Sequence, residues 1–68
     1  MAALEAKFAA NLKAARTKRH LSQGDVAYRA GISVSYVSML ERGLRSPPLG
    51  TIEAVAKALR MTPGALLE

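Results

Sequence analysis

Between Lys13 and Arg45 the chain carries seven cations, Lys13, Arg16, Lys18, Arg19, Arg29, Arg42 and Arg45, against two carboxylates, Asp25 and Glu41. Within that band lie Ser33, Ser35 and Ser38, with Val34 and Met39 beside them. Guanidinium and ammonium groups neutralise phosphates, serine hydroxyls donate or accept at base edges, and apolar groups meet thymine methyls. The chemistry on offer is therefore non-covalent. One histidine (His20), no cysteine and two separated carboxylates in this region supply no acid–base pair and no activated nucleophile. They supply no metal-ligand set either, so no enzyme, metal or cofactor is expected. The net charge is +5 over 68 residues. A basic band of this kind is the footprint expected for a nucleic-acid backbone; a solvated basic face that aids solubility is the alternative.

The stretch from Gln23 to Arg42, QGDVAYRAGISVSYVSMLER, has the spacing to position these groups. It reads as two short helices joined by a tight turn, with Val26, Ala30, Ile32, Val37 and Leu40 as the apolar positions. Ala27 is small where a second helix must cross closely. Gly31 sits at the joint, where positive φ ends one helix and turns the chain. Ser22 and Ser33 are N-cap candidates for the two helices. Asp25 follows Ser22 as a short, weak partner for a capping box. Gly24 leaves a bare backbone in the first turn, which lets a phosphate approach the helix N-terminus. Two helices joined by a short Gly turn form the DNA-binding helix-turn-helix arrangement; an ordinary helical hairpin is the alternative. The second helix, about 34–41, turns Val37 and Leu40 inward and Val34, Ser35, Ser38 and Met39 outward, unless Val34 and Met39 are extra core.

The remaining chain supplies the frame. Residues 3 to about 18 predict a first helix with Leu4, Phe8, Leu12 and Ala15 on one stripe. Arg16 lies close to that stripe and needs an acidic partner if partly buried; Glu41 is the candidate. Gly43 predicts a left-handed stop, and Leu44–Pro48 is the one loop of any length. A fourth helix, opened by Pro48, carries Leu49, Ile52, Val55, Ala56 and Leu59. Thr62-Pro63 then starts a short fifth helix through Leu67. The expectation is one all-α domain over residues 1–68, a compact five-helix bundle. No apolar run spans a bilayer and the N-terminus is no secretory signal, so a cytoplasmic protein without membrane contact is expected.

The segments LSQGDVAYRAGISVSYVSMLERG and LGTIEAVAKALRMTPGALL resemble the phage repressor and Cro-type helix-turn-helix family, with the likeness running from about Leu4 to Leu67. Within it, SYVSMLERGLRS and the length of the following loop are similar to small restriction–modification controller proteins. The resemblance implies a lambda-repressor-like bundle. It also implies base-edge contacts from Val34, Ser35 and Met39, bordered by Ser33 and Ser38, and backbone contacts from Gln23, Arg42 and Arg45. Ser22, Lys18 and Arg19 are further backbone candidates. Arg16 and Glu41 match a partly buried salt bridge between the first helix and the third. Family members often carry Gln, Arg or Lys at the base-contact positions; this chain does not.

The function these readings imply is a sequence-specific double-stranded DNA-binding transcription regulator. It would act as a homodimer on a palindrome, with recognition helices about 34 Å apart. The dimer contact is expected in the C-terminal region, from Met61, Leu66 and Leu67, which the core could equally claim. No small-molecule pocket is visible in the sequence. An antitoxin or adaptor that binds a partner protein as well as DNA is the alternative.

Overall fold

The computed structural model describes residues 3–68. Four α-helices follow in order, α1 Ala3–Lys18, α2 Gln23–Ala30, α3 Val34–Glu41 and α4 Leu49–Ala58, and a 3-10 turn Pro63–Leu67 closes the chain. The described residues contain no strand. The fifth helix expected from Thr62-Pro63 is thus a 3-10 turn. Thr62 does cap it, its side chain accepting from the Ala65 N–H, but five residues are too few to close more than a turn of α-helix.

The core draws on every element: Phe8, Leu12 and Ala15 from α1, Val26 and Ala27 from α2, Val37 and Leu40 from α3, Ile52, Val55 and Ala56 from α4, then Leu59 and Leu66. Helix α2 packs on α3 and α4, α1 packs on α3 and the 3-10 turn, and that turn also packs on α4. Two residues assigned to apolar stripes lie outside. Leu4 is 57% exposed and Leu49 79% exposed. Each stands one turn ahead of the first covered residue of its helix, Phe8 and Ile52; Ser46 and Pro47 of the long loop line a cleft beside Leu4 but leave it largely uncovered. Pro48 precedes α4 as its N-cap rather than opening it, its carbonyl accepting from the Thr51 and Ile52 N–H groups.

All four helices stop in the same way. After α3, the Gly43 N–H donates to the Leu40 carbonyl and the Leu44 N–H to that of Met39, with Gly43 at φ 71°. These paired bonds around a left-handed residue satisfy carbonyls the helix leaves free. Gly31 does the same after α2, at φ 72°. After α1 and α4 the left-handed residues are His20 (φ 56°) and Arg60 (φ 57°), whose Cβ atoms disfavour that conformation. Both are exposed. His20→Gly is therefore expected to stabilise the domain by about 0.5–1 kcal/mol, a rise of several degrees in Tm measured by circular dichroism; a fall would show that the histidine side chain holds the stop.

Candidate nucleic-acid interface

Serine caps set the entry of both motif helices. The Ser22 hydroxyl accepts from the Asp25 N–H at 2.9 Å, and the Asp25 carboxylate accepts from the Ser22 N–H at 2.8 Å. The short aspartate therefore completes the capping box. These bonds hold the Asp25 carboxyl below its ordinary range. Ser33 accepts from the Tyr36 N–H at 3.0 Å. In each case an oxygen lone pair is used and the hydroxyl proton stays free to donate outward.

The C-terminal end of α3 is anchored by Glu41. Arg16 Nε donates to Glu41 Oε2 at 2.5 Å and Arg16 Nη2 to Oε1 at 3.1 Å. Gln23 Nε2 donates to the same Oε1 at 3.1 Å, and Arg16 Nη1 donates to the Leu21 carbonyl at 2.9 Å. One carboxylate thus ties α3 to α1, to the start of α2 and, through Arg16, to the connector between them. The Glu41 side chain is only 4% exposed. Burial pushes its carboxyl up, but the hydrogen bonds from Arg16 and Gln23, with the charges of Arg16 and Lys13, outweigh burial and hold it below its ordinary value. The guanidinium of Arg16 is shifted up by its bond to Glu41.

With α3 capped by Ser33 and held at Glu41, its outward side chains are fixed in direction. Ser33, Val34 and Ser35 are exposed, and Ser38 and Met39 are half-buried. Val34 is 50% exposed, and neither it nor Met39 packs against the core cluster. Arg42 and Arg45 are exposed just beyond the helix, with Arg42 Nε turned back toward the Ser38 carbonyl at 3.4 Å. Exposed Ser22 and half-buried Gln23 stand at the start of α2, and Lys18 is exposed near the end of α1. Arg19 faces elsewhere: it donates to the Ala15 carbonyl and lines a cleft with Arg29, Leu59 and Arg60. The expected C-terminal dimer surface is partly used internally. Leu66 is fully buried, while Met61 and Leu67 pack against the core and stay half-exposed.

Two further contacts lie outside the sequence expectations. Asn11 Nδ2 donates to the Leu66 carbonyl at 2.9 Å and pins the 3-10 turn to α1. Its signal was a polar residue at Phe8 plus three, on the buried stripe. Ser46 donates to Glu5 at 2.7 Å, joining the long loop to α1 and lowering the Glu5 pKa; a serine and a glutamate 41 residues apart leave no sequence signal. Among the described residues, no helix is long and apolar enough to cross a membrane.

Comparison with known proteins bears on this geometry directly. The Helix-turn-helix family profile matches residues 12–66. The immunity repressor protein of Bacillus phage phi105 is 41% identical over 56 residues, covering 82% of this chain and 39% of the repressor. The restriction-modification controller protein C.AhdI from Aeromonas hydrophila superposes with a TM-score of 0.88 at 39% identity, over 91% of this chain and 94% of that one. The controller protein C.Esp1396I, solved as a tetramer in complex with its natural 35 base-pair operator, superposes with a TM-score of 0.86 at 25% identity, over 93% of this chain and 83% of that one. The chain spans 39% of the length of several curated relatives that it matches, the phage repressor among them. By a profile match over most of its residues, carried on a capped and anchored α2–turn–α3 unit, the chain belongs to the helix-turn-helix family.

Proposed function

We propose that the chain is a sequence-specific double-stranded DNA-binding transcription regulator, located in the cytoplasm and without catalytic activity, that places α3 in the major groove. The observation that carries this reading is the outward face of α3: apolar and hydroxyl side chains, none of them needed by the core, on a helix braced at both ends. Ser33, Val34, Ser35, Ser38 and Met39 meet base edges, and Ser22, Gln23, Lys18, Arg42 and Arg45 meet the phosphate backbone. Arg19 is not assigned to this track, since its side chain donates to the Ala15 carbonyl and lines a separate cleft. None of the five base-edge residues makes the bidentate bonds that Arg or Asn makes to guanine or adenine. Selectivity therefore rests on thymine methyls, bridging water and DNA shape.

A homodimer is part of the proposal. The longest extent of the Cα trace is 29 Å, shorter than the roughly 34 Å turn that separates half-sites, so one copy reaches one half-site. The operator-bound tetramer of C.Esp1396I supports such assembly. At the C-terminal end, Met61 and Leu67 still have surface for a second copy.

Selection from random duplexes is expected to yield a palindrome with half-sites one helical turn apart. Against the selected site, Arg42→Ala and Arg45→Ala are each expected to weaken all sequences alike and to lower the salt slope by about one unit. Recovery of no motif, or a change of preference alone in these variants, would overturn the assignment.

A further inference from the structure

The C-terminal ends of α1, α2 and α4 converge on two adjoining open clefts that the α3 face does not share. The first, about 400 Å³, is lined by Arg29, Ala54, Lys57, Ala58 and Arg60. The second, about 300 Å³, adds Arg19, Leu21 and Leu59 and shares Arg29, Ala58 and Arg60 with the first. Together they form one groove in which four cations surround a floor of small apolar side chains, Ala54 and Ala58, one helical turn apart on α4. Among the described residues no carboxylate lines either cleft, and none of the four cations forms an ion pair. Asp25, one turn ahead of Arg29, is hydrogen-bonded by Ser22 and feels the charge of Arg29 only as the smallest influence on its carboxyl. Glu53, one turn ahead of Lys57, is exposed and makes no ion pair within 4.0 Å among the described residues.

Cations in the last turn of a helix ordinarily complement its dipole. Three helix C-termini supply roughly one and a half negative charges between them, against four cations here, so the groove keeps a large positive surplus. The floor selects the anion. A phosphate gains nothing from two alanine methyls, whereas an apolar side chain seats on them while the rim guanidiniums pair with carboxylates in two-pronged fashion. Both clefts are open rather than enclosed, whereas small-molecule sites bury most of their ligand. We infer that this groove docks an acidic peptide segment of a partner protein, one that carries an apolar side chain between its carboxylates. No residue proposed to meet DNA lines the groove, so the two ligands do not compete for the same side chains.

The test is a labelled synthetic peptide in which Glu and Asp flank a single Leu, titrated with the intact chain at low salt and followed by fluorescence anisotropy. Arg29→Glu/Lys57→Glu is expected to weaken binding by about tenfold or more, with circular dichroism unchanged because both side chains are exposed. Replacing the peptide Leu by Ser weakens binding too, and Arg42→Ala/Arg45→Ala leaves it unchanged. If the charge reversal unfolds the domain, Arg29→Gln/Lys57→Gln carries the test with a smaller loss in the same direction. Three results overturn the inference. Equal loss in the Arg42→Ala/Arg45→Ala variant reduces it to general charge, and indifference to the Leu removes the role of the floor. Weakened duplex DNA binding in Arg29→Glu/Lys57→Glu, as strong as in Arg42→Ala/Arg45→Ala, makes the groove a second phosphate track.

Discussion

Arg16→Ala is expected to destabilise the domain by about 3 kcal/mol, the lower end of the range for removing one partner of a buried ion pair. The lower end applies because the Arg16 side chain is 14% exposed, while Glu41, left behind, is 4% exposed. Gln23 still donates to the orphaned carboxylate, but a neutral amide does not replace a two-pronged guanidinium. The orphan also sits in the last turn of α3, where the helix dipole is negative and a carboxylate is disfavoured. The double variant Arg16→Met/Glu41→Leu is expected to recover most of the loss, since an apolar pair of similar size avoids desolvating two charges. The pH dependence follows from the depressed Glu41 carboxyl. Its stabilising contribution is complete above the ordinary carboxylate range and disappears as pH falls through the lower folded value. Urea titrations of the wild type from neutral to acid pH should show that loss, and the double variant should lack Glu41's share of it. A cost below about 0.5 kcal/mol for Arg16→Ala, the size of an exposed pair, would mean that water screens the contact.

Phe8→Ala is expected to cost more, about 3–5 kcal/mol. Phe8 is 1% exposed and among the largest fully buried side chains, and it stands where α1 meets the rest of the core. At about 0.05–0.15 kcal/mol per residue, a domain of this length has roughly 3–10 kcal/mol in total, so the variant is expected to be substantially unfolded at 37 °C. Leu4→Ala, one turn earlier on the same helix, is the control. With Leu4 57% exposed, its loss is expected to stay within about 0.5 kcal/mol. Comparable denaturation midpoints for the two variants would contradict the placement of the core.

The contrast between Phe8 and Leu4 shows what the chain discloses in one dimension. Periodicity identifies the face of a helix, and it located Leu12, Val37, Leu40 and Val55 correctly. It carries no information on where the neighbouring element ends, so the stripes ran one residue too far at Leu4 and Leu49. Side-chain chemistry with strong positional preference was legible: Gly31 and Gly43 at left-handed stops, Ser22, Ser33 and Thr62 at caps. His20 and Arg60 hold the same left-handed geometry without the residue type that advertises it, and only the fold imposes it. The Arg16–Glu41 pair was legible because a long cation beside an apolar stripe demands a partner. The Asn11 contact with Leu66 and the groove around Arg29 and Arg60 depend on which helix ends meet in space, which no local pattern encodes. The candidate interface divides likewise. Motif spacing marked the outer face of α3, but the direction of Arg19 emerged only when α4 was packed beside it.

The outer side chains of α3 are not part of the buried core. Val34, Ser35, Ser38 and Met39 are absent from the buried cluster, whereas Val37 and Leu40, on the same helix, are fully inside it. Evolutionary drift at the former positions is therefore almost free of folding constraint, while drift at the latter is not. On the proposed reading of that face, duplicated copies of such a gene would come to address different stretches of a genome while sharing one scaffold. The same separation makes the outer face a place where side chains can be exchanged at little cost to folding.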